Sequence, residues 1–143
     1  MRANKLGSRI QSESIQIMRV ENKLKVFLIE DGCQIRSILI EFLQRTEHIE
    51  IIGFAENESD ALDQLRSKEW DVVIVDIGLN EGSGLGVLAG LQHDPWKHGK
   101  RFVFTNSPSP ALKSRCIALG ADEFFDKSRD LNMLVNRLQA MLT

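Results

Sequence analysis

The sequence predicts an α/β protein: one sheet of five parallel strands, each followed by a helix, with helices on both faces. Three observations carry this. Short apolar runs alternate five times with segments of helical periodicity between Lys25 and Leu142. The run Val72–Val75 is apolar at every position, as in a strand buried on both faces of a parallel sheet. No linker, repeat or low-complexity tract interrupts residues 25–143. A chain of 143 residues is enough for one compact domain and too short for two ordinary ones.

The first unit joins the strand KVFLIE to the helix IRSILIEFLQR, in which Ile35, Ile38, Leu39, Phe42 and Leu43 recur at helical spacing. The second joins IEIIGFA to SDALDQLRS, with Ala61, Leu62 and Leu65 on one side. The third strand, WDVVIVD, leads through the glycine-rich loop GLNEGSG into the short helix LGVLAGL. The fourth strand, RFVFT, precedes PALKSRCIALG, with Pro110 in the first helical turn and Gly120 just past the end. The fifth strand, DEFFD, precedes LNMLVNRLQAML, which carries Leu131, Leu134, Val135, Leu138 and Leu142 on one stripe. Right-handed crossovers follow from strand twist. Residues 1–22 read as a flexible extension before a folded unit at 23–143. Up to residue 25 the extension holds Arg2, Lys5, Arg9, Arg19, Lys23 and Lys25 against only Glu13 and Glu21.

Composition narrows the function classes. Apolar residues make up 43% and charged residues 27%, the balance of a soluble globular chain rather than a disordered one. A net charge of −2 gives no basic excess, so generic polyanion binding is not expected. The longest apolar runs span four residues, far below the roughly 20 of a membrane helix. The start, MRANKLGSRIQSES, lacks the apolar core of a secretory signal. Cys33 and Cys116 form no CxxC pair and read as reduced thiols of a cytoplasmic protein. His48, His93 and His98 have no metal-ligand spacing.

Ligands of open α/β sheets bind beyond the carboxyl ends of the strands. Here the first strand ends in Glu30 and Asp31, the third in Asp76, the fourth in Thr105, and the fifth near Lys127. Three carboxylates in one crevice repel one another unless a cation joins them, and oxygen donors suit Mg²⁺. An ammonium and a hydroxyl beside such an ion suit a phosphoryl group. One of the carboxylates can be the nucleophile, forming an acyl phosphate. Each residue alone has a plain structural reading: a helix cap, a strand threonine, a surface lysine. Their joint placement at four of five strand ends points to a site.

The segments FLIEDGCQIR, VVIVDIGLNEGSGL, FVFTN and GADEFFDK, in that order, resemble the receiver domain of bacterial two-component response regulators. The resemblance runs from about Lys23 to Leu142. It implies a flavodoxin-like fold with strand order 2-1-3-4-5. It also implies that Asp76 is the phosphoacceptor, and that Glu30, Asp31, Asp76 and the backbone carbonyl of Gly78 hold Mg²⁺, Asp31 more directly than Glu30. Thr105 would bond the phosphoryl oxygen, Lys127 would pair with it, and Phe124 would be the switch aromatic. The expected donor is a sensor histidine kinase or a histidine phosphotransfer protein. Phosphorylation would regulate the face around 111–119 and 131–142 toward a downstream protein that the sequence does not identify. The expected state before phosphorylation is a monomer or weak homodimer. Neither membrane nor direct nucleic-acid contact is expected, the latter because only Thr143 follows Leu142.

Several positions depart from the family pattern. Glu30 replaces the commoner aspartate. Asn80 and Ser128 stand where proline is usual, while Gly32, Gly78 and Ser107 are small. Without proline a cis peptide costs about 2.5–4 kcal/mol, so the Lys127–Ser128 bond is expected to be trans. The Ser128 N–H then needs a partner. The alternative function is a receiver-like interaction module that does not use phosphorylation, which the intact acidic set, Thr105 and Lys127 argue against. A Mg²⁺-dependent phosphohydrolase would carry DxD after the first strand and a cap insertion. Glu30-Asp31 and the chain length do not match that pattern.

Overall fold

The computed structural model describes residues 23–94, 99–106 and 108–142. The proposed extension at 1–22, together with His98 and Ser107, lies outside them. Five strands, β1 (Leu24–Ile29), β2 (Ile49–Ala55), β3 (Val72–Val75), β4 (Lys100–Thr105) and β5 (Glu123–Asp126), alternate with five helices. The helices are α1 (Cys33–Gln44), α2 (Glu58–Ser67), α3 (Gly84–Gln92), α4 (Pro110–Ala118) and α5 (Leu131–Ala140). All strand pairs are parallel, and the sheet order is β2-β1-β3-β4-β5. This is the expected architecture.

Strand alternation divides the interior into two layers. Val26, Leu28, Val72, Ile74, Phe102 and Phe104 face α1 and α5, where Leu39, Leu43, Leu134 and Leu138 complete the core. Phe27, Ile29, Val73, Val75 and Val103 face the other way, onto Ala61 and Leu65 of α2, Val87, Leu88 and Leu91 of α3, and Cys116 of α4. Because both faces are covered, β3 is buried at all four positions.

The helix starts follow local chemistry. Asn57 accepts the Asp60 N–H, Ser83 the Leu85 N–H and Ser109 the Leu112 N–H, capping α2, α3 and α4. Pro110 opens α4, and Gly120, with φ +102°, follows it.

Ile35 and Ile38 recur at the helical spacing of α1, yet they are 42% and 65% exposed. Arg36, Leu39 and Leu43 face inward instead. The five apolar positions span more of the helix circumference than one sheet contact covers. Arg36 tolerates the inward position because its guanidinium finds polar partners there, described below. Among the described residues, no helix is long and apolar enough to cross a membrane. Cys33 is exposed, Cys116 is buried, and neither forms a disulfide.

Candidate functional site

The parallel sheet delivers its strand ends to one edge. β1 lies between β2 and β3, so Glu30 and Asp31, following β1, stand beside Asp76, which follows β3. The Asp76 N–H donates to the Ile29 carbonyl at 3.0 Å, fixing the two strand ends together. One carboxylate oxygen from each of Glu30, Asp31 and Asp76 lies within 4.8 Å of the others.

Lys127 enters this cluster from the far side of the sheet. Its backbone N–H donates to the Thr105 carbonyl at 2.9 Å, continuing the β4–β5 pairing by one residue. Its Nζ donates to Asp76 Oδ2 at 3.0 Å and forms an ion pair with Glu30 Oε1. Thr105 is buried at the end of β4. Gly78 is exposed, and a side chain placed there would meet no atom within 4 Å, leaving open space beside Asp76. Close packing under the site needs a glycine at 84: a Cβ there would collide with the Asp76 carbonyl.

The charges do not balance. Three carboxyl groups stand with one amine, a formal excess of two negative charges when all four are ionised. Burial pushes the Glu30 carboxyl above its usual range and the Asp76 charge adds to this, against the lowering by Lys127 and by the Gly32 N–H. Burial also opposes the Lys127 charge, but the hydrogen bonds it donates to Glu30 and Asp76, with the charges of those carboxylates, outweigh it and hold that pKa above its ordinary value. A hard divalent cation fits this all-oxygen, net-negative cluster. Glu30, Asp31 and Asp76 are the residues that could hold it, and the resemblance adds the Gly78 carbonyl.

The peptide bond after Lys127 is trans, as expected for a serine at 128. Asp126 stabilises the turn. Its Oδ1 accepts both the Ser128 N–H, at 2.9 Å, and the Ser128 hydroxyl, at 2.7 Å. These bonds hold the Asp126 carboxyl below its usual range, with Arg129, 3.3 Å away, contributing less. The Asp126 N–H in turn donates to Asp130 at 2.9 Å. The restored Ser128 N–H thus has its partner, and the turn aims the lysine. Asp126→Ala is expected to release the turn and, with Asp76 as the phosphoacceptor that the resemblance implies, to slow its phosphorylation by up to about 10²-fold, the effect of roughly 1 Å of misplacement. Phosphorylation kinetics with a small phosphodonor check this; an unchanged rate contradicts the aiming role.

Phe124 is half-buried in β5 against the core layer shared with α4. Beyond it a groove runs past Pro108, Pro110, Lys113, Asp126 and Arg129. Arg36 was not singled out from sequence. Its Nη1 donates to the Glu30 carbonyl at 2.8 Å and pairs with Glu56 at 2.8 Å, and its guanidinium stacks on Phe54, 4.2 Å from the ring centre. It ties the end of β1 to the end of β2. A lone arginine among the apolar positions of a predicted helix is the only sequence signal it gives.

Comparison with known proteins decides the family. Residues 26–139 match the response regulator receiver domain. The chain belongs to the response regulator receiver family. It is 31% identical over 118 residues to BvgA of Bordetella pertussis, a protein named for transcription regulation of virulence factors. That match covers 82% of this chain and 56% of BvgA, so the receiver spans about half the length of that relative. A DNA-binding response regulator of the LuxR family from Staphylococcus aureus superposes with a TM-score of 0.76 at 22% identity, covering 84% of this chain and 99% of the other. The phosphorylated cyanobacterial phytochrome response regulator RcpA superposes at 0.71 and 22%, covering 83% and 91%. At these identities the two structures share the receiver fold. Because relatives include transcription regulators, the expectation of no nucleic-acid contact is not carried over to the whole protein.

Proposed function

We propose that this receiver accepts a phosphoryl group on Asp76 from a phosphohistidine of a sensor kinase or phosphotransfer protein. The observation that carries the reading is the convergence of Glu30, Asp31, Asp76 and Lys127 at one edge of the sheet. A carboxylate oxygen of Asp76 attacks phosphorus, the donor P–N bond breaks, and the imidazole leaves with the electron pair. Mg²⁺ supplies charge neutralisation for the phosphoryl oxygens when bound. Lys127 transfers its Asp76 contact to a phosphoryl oxygen, and the Thr105 hydroxyl donates to another. Gly78 leaves the approach open. The domain promotes its own phosphorylation and dephosphorylation and turns over no separate substrate.

Charge at Asp76 draws in Thr105 and shifts the packing of Phe124, biasing two arrangements of the α4–β5–α5 face. Ile117 and Met133 are exposed apolar residues on that face. In the unphosphorylated state we expect a monomer or weak homodimer. A downstream partner, protein or output domain, reads the change.

Incubation with acetyl phosphate and Mg²⁺, followed by intact-mass measurement, tests the reading. One phosphoryl group per chain is expected. A chain that stays unmodified while Mg²⁺ is present contradicts it and favours an interaction module that does not use phosphate.

A further inference from the structure

We propose that Glu58 is a positioning residue for the loop that follows the phosphoacceptor; this rests on the proposed function. Glu58 opens α2, which follows β2, and β2 and β5 lie at opposite edges of the sheet with β3 between them. Its Oε1 accepts the Ser83 N–H at 3.0 Å, and its own N–H donates to the Glu81 carbonyl at 3.1 Å. Ser83 is the cap of α3, so one carboxylate joins the first turns of two helices, where helix dipoles favour a negative charge.

The loop needs such a fastening. Asp76 to Ser83 contains two glycines and no proline, so its backbone has much freedom to lose. Ser83 bridges across the loop to Gly78, and the Gly84 N–H donates to the Ile77 carbonyl at 2.9 Å. Holding Ser83 therefore holds Gly78, whose carbonyl is the proposed metal ligand.

Two glycines make the room. A Cβ on Gly86 would fall onto the Glu58 carboxylate, and a Cβ on Gly82 onto the Glu58 side chain. Glycine inside a helix is unfavourable on propensity grounds, so a glycine at 86 in α3 calls for a packing reason. The Glu58 carboxylate supplies one: the side chain at 58 occupies the volume that a side chain at 86 would take.

The test is a double-mutant cycle on the full chain, read by Mg²⁺ titration calorimetry, thermal denaturation and the rate of phosphorylation by acetyl phosphate. Glu58→Ala should weaken Mg²⁺ binding about 10-fold or more, as loss of a support behind a metal ligand commonly does. Glu58→Gln keeps the acceptor for the Ser83 N–H and should restore most of the affinity. Gly86→Ala alone should reproduce the Glu58→Ala loss by expelling the carboxylate. In the Glu58→Ala background the same change should cause no further loss and should raise Tm by about 2–4 °C through helix propensity. Independent, additive effects of the two substitutions overturn the inference. So does a Glu58→Ala chain that binds Mg²⁺ and takes phosphate as the unaltered chain does. If the unaltered chain does neither, the proposed function itself falls and this inference with it.

Discussion

Replacing Lys127 by methionine is expected to slow phosphoryl transfer to Asp76 by about 10²–10³-fold, the usual loss for one donor aimed at developing oxyanion charge. The side chain is only 7% exposed and bridges Glu30 and Asp76, which are 4% and 13% exposed. Methionine keeps much of the length and loses the charge. The buried Glu30 and part-buried Asp76 carboxylates then lack their counter-ion, and breaking a buried pair from one side costs up to about 3–5 kcal/mol. Glu30 limits this loss by taking up a proton, since burial already drives its carboxyl upward. The stability loss in Lys127→Met should therefore shrink on acidification, as Glu30 becomes neutral, while the kinetic defect persists. Rapid-mixing kinetics and denaturant melts at two pH values separate the effects. A normal transfer rate in Lys127→Met contradicts the assigned role.

Mg²⁺ is expected to stabilise the fold by mass action: at ten times its dissociation constant the gain is about 1.4 kcal/mol, which raises Tm by about 4–8 °C. Removing the ion with a chelator should stop phosphorylation. Asp31→Asn should weaken binding more than Glu30→Gln. Both Glu30 oxygens already have partners, Oε1 with Lys127 and Oε2 with the Gly32 N–H at 3.1 Å, whereas Asp31 is less buried and follows β1 by two residues. Calorimetric titration of both variants checks the order. Equal weakening, or no effect of Mg²⁺ on Tm, contradicts the metal assignment.

Much of the site was legible because parallel topology sends every strand's carboxyl end to one edge. Glu30, Asp31, Asp76, Thr105 and Lys127 stand at or just past the ends of apolar runs and can be named from the sequence alone. The order of the strands could not be read that way; it followed from the resemblance of four motif segments to one family. Periodicity predicted the helix α1 but not which of its faces is buried. The apolar positions 35, 38, 39, 42 and 43 fit a helix, yet only one arc meets the sheet, and the sequence does not say that Arg36 shares it. The supporting residues were hidden for a related reason. Asp126 reads as the last residue of a strand and Glu58 as an acid in the first turn of a helix. Their partners, Ser128 in a tight turn and Ser83 25 positions away, appear only once the chain is folded.

Locating the phosphoryl group tests the central claim most directly. The unaltered chain and Asp76→Asn are each treated with acetyl phosphate and Mg²⁺ and weighed intact, and the modified carboxyl is mapped after borohydride reduction of the acyl phosphate. The account predicts one phosphoryl group on the unaltered chain, mapped to Asp76, and none on Asp76→Asn. A full adduct that persists in Asp76→Asn, or maps to another residue, contradicts it.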